Sequence, residues 1–299
     1  MSYRGRFAPS PTGALHFGSL VAAVGSWVRA RSQGGTWLVR MEDLDPPREV
    51  PGSAAQILQT LAAFGMSSDE PVLYQSKHES AYRAAFEELQ ALGVVFPCWC
   101  SRNDLDGEQR LHRGVCVAPP DAGREPAWRL RTPDVGLAFC DAVFGKQRQI
   151  LGSSVGDFVV RRVEGWYAYQ LAVVVDDAAQ AITEVVRGAD LLDSTPRQIH
   201  LQHLLGLPTP DYLHLPVVFG DDGRKLSKQD RARPVDANDP MPALRAALAF
   251  LGLPDISGTD PDGLLGAAVR EFDIAHLAAA QANAAAQGGT PHRYSILAD

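Results

Sequence analysis

The stretch that decides the fold lies near the start of the chain and reads Arg6-Phe7-Ala8-Pro9-Ser10-Pro11-Thr12-Gly13, followed by His16-Phe17-Gly18-Ser19. A strand-like segment from Tyr3 to Phe7 passes through this Pro/Gly turn into a helix predicted from Leu15 to Arg31. Phosphate oxygens bind at a helix start because its first backbone N–H groups are free and its dipole is positive there. The stretch therefore predicts a phosphate site where the first helix begins.

A second basic motif, Lys225-Leu226-Ser227-Lys228, lies far downstream and follows Asp221-Asp222-Gly223-Arg224. A loop of this kind can place ammonium groups on ATP phosphates as charge builds in the transition state. Either motif alone is more often an ordinary loop, but the two in this order indicate an enzyme that activates a carboxylate with ATP. The predicted catalytic residues are His16, Gly18, Lys225 and Lys228, and the predicted ATP contacts are His16, Gly18, Ser19 and Lys228, with Mg²⁺ accompanying ATP.

Composition limits the class of protein. The chain has 299 residues, of which 45% are hydrophobic and 21% are charged, as in an ordinary globular protein with room for two or three domains. Its apolar runs are too short to cross a membrane, and functional sequence begins by residue 6, so we expect no signal peptide and a cytoplasmic location. The net charge of −7 argues against a protein that coats nucleic acid, although a local basic surface remains compatible with it.

The order of predicted elements favours an α/β fold with a Rossmann-like parallel sheet. Residues 97–155 are rich in Pro, Gly, Arg and Cys, which indicates an insertion into that sheet, and a helical region follows at the C-terminal end. The predicted strands are 3–7, 36–41, 128–131, 137–143, 169–175, 182–186 and 214–218, and the predicted helices are 15–31, 52–64, 77–92, 196–205 and the region from 241 onward. We expect the catalytic domain in 1–92 and 166–218, the insertion in 93–165, and the Lys-x-Ser-Lys loop with the helical region in 219–299.

Three cysteines and a histidine fall close together in the insertion. Cys98 and Cys100 are one residue apart, and His112 and Cys116 are four apart. Three thiolates and one imidazole form a closed tetrahedral zinc site of the structural kind, and reduced buried thiols are the alternative. Cys140 is too far along the chain to belong to the set.

The two motifs resemble the two signatures of class I aminoacyl-tRNA synthetases. The sequence of residues 6–13 resembles the form of the first signature in the glutamyl/glutaminyl branch. Further segments agree in order, namely 40–45, 169–177, 186–191 and 195–198. Too few residues follow Lys228 to build anticodon-binding domains, so the chain resembles the truncated glutamyl-queuosine tRNA(Asp) synthetases. That resemblance implies glutamate activation by ATP without tRNA, then transfer to queuosine of tRNA(Asp), and a similar zinc site that usually has tyrosine in the third position.

The resemblance also implies a glutamate pocket, formed by Arg6, Phe7, Ala8, Pro9, Ser10, Glu42, Tyr169 and Arg187. Glutamate carries two carboxylates and one ammonium, so its pocket needs two cations and one anion. Glu42 suits the ammonium, and Arg6 and Arg187 suit the carboxylates, although which arginine takes which carboxylate stays open. Three other functions also stay open: charging of a tRNA 3′ end, non-catalytic tRNA or zinc binding, and general nucleotidyl transfer.

Overall fold

The computed structural model describes residues 2–105, 111–121, 123–218, 233–253 and 255–279. Its strands are β1 (Arg4–Phe7), β2 (Thr36–Met41), β3 (Leu73–Tyr74), β4 (Val95–Cys98), β5 (Ala127–Leu130), β6 (Gly136–Asp141), β7 (Gly145–Ile150), β8 (Phe158–Arg161), β9 (Glu184–Gly188) and β10 (Asp211–Leu215). Its principal α-helices are α1 (Phe17–Ser32), α2 (Ser53–Ala63), α3 (Glu79–Ala91), α4 (Leu151–Ser154), α5 (Tyr169–Ala179), α6 (Thr195–Leu204), α7 (Pro240–Phe250) and α8 (Pro261–Glu271).

Two groups of parallel strands meet at β1. In the first group β1, β2 and β3 pair in that order, and in the second β9, β10 and β6 are parallel while β7 closes an antiparallel hairpin with β6. β1 lies beside β9, where Thr183 N donates to Arg4 O at 2.9 Å and Arg6 contacts Val186 O. The parallel strands therefore end at one shared edge, which is where ligands bind in open α/β sheets.

Helix α1 covers this sheet and connects it to the predicted phosphate site. Its residues Leu20, Val24 and Val28 are fully buried at helical spacing. Gly25 lies against β10, where an added Cβ would stand 2.6 Å from Leu215 Cδ1, so a small residue lets the helix approach the strand closely. This packing fixes where the first turn of α1 sits relative to the strand ends.

A second, antiparallel sheet forms in the insertion from β4, β5 and β8, with Val95 opposite Leu130 and Leu130 opposite Phe158. Its apolar side packs on Tyr82 and Phe86 of α3 in one buried cluster. The β6–β7 hairpin, which lies between β5 and β8 in sequence, instead extends the main sheet beside β10. The domain boundaries at 92, 165 and 218 stay a prediction.

The structure confirms the α/β class, the parallel sheet and the helical C-terminal region. The strand predicted at 169–175 is wrong, because these residues begin helix α5. Residues 171–174 are all buried, so the helix shows a continuous apolar run with no polar face to reveal its period. The strand predicted at 214–218 is β10, which starts at Asp211.

Two of the predicted features lie wholly or partly outside the residues that the structure describes. The Lys225-Leu226-Ser227-Lys228 motif and residues 280–299 of the predicted C-terminal helical region lie outside the described residues. Within the described ranges, no helix combines the length and apolar character that a bilayer span requires.

Candidate active site and metal centre

The shared edge of the parallel strands collects the side chains assigned to glutamate binding. Arg6 projects from β1, Glu42 follows β2 directly, and Arg187 lies in β9. Tyr169 begins α5, which starts beside the same edge. Separate segments of the chain thus contribute two arginines, one carboxylate and one phenol to one region of the molecule.

Arg6 is 3% exposed and binds a carboxylate that the sequence analysis did not assign. Its Nε donates to Asp177 Oδ1 at 3.0 Å, and its Nη2 donates to Asp177 Oδ2 at 3.4 Å. Fully buried Arg40 donates from Nη1 to the same Asp177 Oδ1 at 2.8 Å. Burial alone would raise the pKa of Asp177, but the Arg40 and Arg6 guanidiniums hold it below its usual range.

Glu42 has a different electrostatic environment. Its Oε1 lies 3.5 Å from Arg40 Nη2, and its backbone N donates to Pro9 O at 3.0 Å. Burial raises the pKa of Glu42 to about 7, because the attraction of Arg40 and Arg6 offsets only part of the lost hydration. An added cation, such as a substrate ammonium, would favour the ionised carboxylate.

Tyr169 lies among these charges. Burial raises the pKa of its hydroxyl, and Arg187, Glu42, Arg6 and Asp177 all act on it electrostatically. The phenol therefore stays protonated, and it is near both arginines and Glu42. A protonated hydroxyl at this position can donate a hydrogen bond to an anionic ligand.

Arg187 is buried and donates to neutral groups. Its Nη1 donates to Gln198 Oε1 at 2.8 Å, and its Nη2 donates to Thr195 Oγ1 at 2.9 Å and Leu191 O at 3.3 Å. Its Nε donates to His214 Nε2 at 3.1 Å. None of these partners carries a full negative charge, in contrast to the carboxylate that binds Arg6.

The remaining residues assigned to the pocket form the turn after β1. Phe7 faces the core, where its ring stacks on Trp37 with the ring centroids 6.5 Å apart. Pro9 is buried and Ala8 and Ser10 are half-buried, and Thr12 N donates to Ser10 O at 2.8 Å. Phe7 therefore supports the turn from behind, while residues 8–10 border the strand edge.

His16 caps α1 at the predicted phosphate site. Its Nδ1 accepts from Ser19 N at 3.3 Å, and its Nε2 lies 3.0 Å from Ser19 Oγ, so Ser19 and His16 are in direct contact. Gly18 lies in the first turn of the helix. Pro234 pairs with His16, and Val235 N donates to Leu15 O at 2.9 Å. The chain that follows residues 219–232 thus returns to the start of α1, whereas Lys225 and Lys228 themselves lie outside the described residues.

The four predicted metal ligands come together in the insertion. One ligand atom from each of Cys98, Cys100, His112 and Cys116 lies within 4.8 Å of the others. Cys98, Cys100 and His112 are buried, and Cys116 is partly exposed. Burial, with the neighbouring thiols Cys98 and Cys100, raises the pKa of Cys116 to about 12. A bound metal ion would instead lower the pKa of these thiols, because it binds their thiolate form directly.

His112 has the orientation of a metal ligand. Its Nδ1 lies 2.9 Å from Asp157 Oδ2, so the ring donates there, and its buried Nε2 has no hydrogen-bond partner among the described residues. Asp157 is itself fixed by Gly114 N at 2.7 Å and Thr132 N at 2.9 Å. A carboxylate that orients a histidine in this way is common behind metal-bound imidazoles, so the four residues fit a zinc ion.

With this geometry in view, comparison with known proteins identifies the family. A sequence model of the class I tRNA synthetase catalytic domain (E and Q) matches residues 2–255. The chain is 59% identical over 253 residues to a glutamyl-Q tRNA(Asp) synthetase of Xanthomonas campestris, a match that covers 84% of each protein. The chain belongs to the glutamyl-Q tRNA(Asp) synthetase family. Another member, from Burkholderia cenocepacia, is 55% identical over 277 residues, covering 89% of this chain and 93% of the relative.

This family member is an enzyme of the aminoacyl-tRNA synthetase type. Solved structures show which proteins share its fold. A glutamate-tRNA synthetase from Elizabethkingia anophelis matches with a TM-score of 0.77 at 23% identity, over 99% of this chain and 68% of that one. A glutamate tRNA ligase from Elizabethkingia meningosepticum matches with a TM-score of 0.75 at 24% identity, over 93% of this chain and 66% of that one. The chain thus has the fold of these proteins and spans about two thirds of their length.

Sequence reasoning missed several residues around the site of this synthetase family member. Asp176 and Asp177 stand at the end of the apolar run of α5, and both are buried. Two adjacent aspartates directly after an apolar run are the sequence signal that could have found them. Such acids are drawn into the interior with the run, and charged groups are buried only when they are paired. Asp141, His214 and Asp157 had no comparable signal, because each acquires its partner from a distant segment.

Proposed function

We propose that this enzyme activates L-glutamate with ATP in the absence of tRNA and transfers the glutamyl group to queuosine in the anticodon of tRNA(Asp), in the cytoplasm. The observation that carries the proposal is the 59% identity over 84% of the chain to a relative of that name. The buried arrangement of Arg6, Glu42 and Arg187 at one sheet edge supports it. The proposed partners are ATP with Mg²⁺, L-glutamate and queuosine-modified tRNA(Asp).

In this proposal the glutamate lies at the ends of β1, β2 and β9. Glu42 accepts the substrate ammonium, whose charge favours the ionised form of this carboxylate. Arg187, whose partners are neutral, binds one carboxylate, and Arg6, which shares Asp177 with Arg40, lies closest to the other. Tyr169 donates its hydroxyl and forms a wall, while residues 8–10 border the backbone of the substrate and Phe7 supports their turn from behind.

The first chemical step joins glutamate to AMP. An oxygen of the α-carboxylate attacks the α-phosphorus of ATP in line, the bond to the β-phosphate oxygen breaks, and pyrophosphate leaves. The enzyme contributes position and charge rather than a covalent intermediate. We assign His16, Gly18 and Ser19 to the bound nucleotide, and Lys225 and Lys228 to the negative charge that develops on the phosphates.

The second step moves the glutamyl group to RNA. A hydroxyl of the queuosine cyclopentenediol attacks the carbonyl of the mixed anhydride, and AMP departs with the bonding electrons. No protein base is assigned to the hydroxyl proton, for which the 2′-hydroxyl of the adenylate ribose, a phosphate oxygen and water are the candidate acceptors.

The metal centre belongs to the proposal as a structural element. Cys98, Cys100, His112 and Cys116 would hold one Zn²⁺ through three thiolates and one imidazole. A bound ion would cross-link β4 to the segment 112–116 and would supply no chemistry to the reaction. The buried Nε2 of His112, which has no hydrogen-bond partner among the described residues, supports this assignment.

ATP–pyrophosphate exchange tests the first half of the proposal. Exchange should depend on glutamate and proceed without any tRNA. Lys228→Ala should reduce its rate strongly while glutamate affinity stays close to that of the wild type, because the lysine acts on the transition state. Lys146→Ala, a change on the exposed strand β7, serves as the charge-matched control. An absolute requirement for tRNA in the wild-type exchange would overturn tRNA-independent activation.

A further inference from the structure

Arg187 lies at one end of a buried series of hydrogen-bonded side chains. Its Nε donates to His214 Nε2 at 3.1 Å, and His214 Nδ1 lies 2.7 Å from Asp141 Oδ2. His214 is fully buried and Asp141 is 1% exposed. The three residues come from β9, β10 and β6, so the series crosses three neighbouring strands of the main sheet.

The geometry fixes the tautomer of His214. Nε2 faces an arginine N–H and must accept, so the single ring proton of the neutral imidazole lies on Nδ1 and is donated to Asp141. Burial, with a further contribution from Arg187, lowers the pKa of His214, while Asp141 acts in the opposite direction. The ring is therefore a neutral acceptor toward Arg187 near neutral pH.

Asp141 is held in place by backbone donors that do not depend on the His214 side chain. Its Oδ1 accepts from Val143 N at 3.0 Å and Phe144 N at 2.9 Å, in the turn that follows β6. Its Oδ2 also accepts from His214 N at 3.1 Å. With these backbone donors the carboxylate cannot turn away, so it fixes the plane of the imidazole.

The His214 imidazole orients the Arg187 guanidinium without neutralising its positive charge. A carboxylate placed directly on Arg187 would neutralise the guanidinium and compete with any anionic ligand, as Asp177 does at Arg6. The neutral imidazole instead orients the guanidinium without supplying a negative charge to it. Among its hydrogen-bond partners in the described residues Arg187 thus has no carboxylate, whereas Arg6 has Asp177.

We propose that His214 and Asp141 are positioning residues that orient Arg187 toward a carboxylate of the bound glutamate. The inference rests on the proposed function, since it takes glutamate as the ligand at this edge. It adds that the β6–β7 hairpin, through Asp141, contributes to glutamate affinity without touching the substrate.

Two substitutions of His214 separate this role from a purely structural one. His214→Gln places an amide oxygen near the position of Nε2, so it keeps an acceptor for Arg187. His214→Asn reaches only the position of Nδ1, so it keeps the contact with Asp141 and loses the acceptor. Because the hydrogen bond lost in His214→Asn has a charged donor, Arg187, we expect glutamate affinity to fall about tenfold or more for His214→Asn and under about threefold for His214→Gln.

The measurement is the Kd of L-glutamate by titration calorimetry, with the KM of ATP and the melting temperature recorded for each variant. His203→Asn, on the exposed side of α6, is the control. The inference expects the two His214 variants to differ in glutamate Kd while sharing similar melting temperatures and an unchanged KM for ATP. Equal glutamate Kd values for the two variants, whether raised or unchanged, would overturn it.

Glutamate binding by the wild-type enzyme, compared with its transfer of glutamate to queuosine, distinguishes this inference from the proposed function. A wild-type enzyme that binds glutamate but fails to transfer it to queuosine would contradict the proposed acceptor, while the two variants would still decide the role of His214. A wild-type enzyme that binds no glutamate would contradict both.

Discussion

Glu42 and Asp177 both contact Arg40, yet their surroundings move their pKa values in opposite directions. Asp177 receives hydrogen bonds from Arg6 and Arg40, so its pKa lies below its usual range. Glu42 is buried with only partial compensation, so its pKa rises to about 7. At the scale of single residues, Asp177 is a fixed counter-ion of the arginines, and Glu42 is an acid whose ionisation a ligand can change.

Substituting Glu42 tests its assignment to the substrate ammonium. A charge-assisted hydrogen bond is worth about 1.5–3 kcal/mol, so Glu42→Gln should reduce kcat/KM for glutamate roughly 10- to 100-fold. Glu87→Gln, on the exposed face of α3, is the matched control. Pyrophosphate-exchange kinetics check this, and wild-type glutamate kinetics in a folded Glu42→Gln variant would remove Glu42 from the pocket.

The raised pKa of Glu42 also predicts a pH dependence of stability. The unfolded carboxyl loses its proton near pH 4.5 and the folded one near pH 7, so folding stability falls as the pH rises between these values. Glu42→Gln removes this loss, and its melting temperature relative to wild type should therefore increase from about pH 5 to about pH 8. Thermal unfolding across this range checks the sign, and a constant difference would show that Glu42 ionises normally.

Among the elements, α1 and β2 could be placed from local sequence, because α1 has apolar residues at helical spacing and β2 is a short apolar run that follows the Gly34-Gly35 turn. Helix α5 was mistaken for a strand because residues 171–174 are buried on every side. The metal ligands could be predicted because their residue types and short spacing are themselves informative. Asp157 and Asp141 could not, since the pairing of β8 and β6 with other strands brings them to His112 and His214.

The metal centre gives a prediction at this scale. Asp157→Asn should weaken zinc binding about 10- to 100-fold, because the amide no longer fixes His112 as firmly with Nε2 toward the thiols. Zinc content of the purified protein and competition with a chromogenic chelator measure this, with exposed Asp134→Asn as the control. We expect one zinc per wild-type chain. Wild-type protein that has met no chelator and holds no zinc would instead indicate a set of reduced thiols.

At the scale of the whole molecule, the match covers 84% of the Xanthomonas relative but 68% of the Elizabethkingia anophelis glutamate-tRNA synthetase. The chain therefore shares the fold of that synthetase over part of its length. A net charge of −7 favours limited contact with RNA over extensive wrapping of a tRNA, because phosphate contacts depend on excess cations. This agrees with an acceptor that the active site recognises locally.

Transfer of radiolabelled glutamate to tRNA(Asp) identifies the acceptor. Three substrates are compared: tRNA(Asp) from cells that make queuosine, tRNA(Asp) from cells that cannot, and queuosine-containing tRNA(Asp) trimmed of its 3′-terminal adenosine. We predict labelling of the first and third and none of the second, because queuosine supplies the attacking hydroxyl. Equal labelling of the first two, with loss of label on trimming, would contradict the account and indicate charging of the 3′ end.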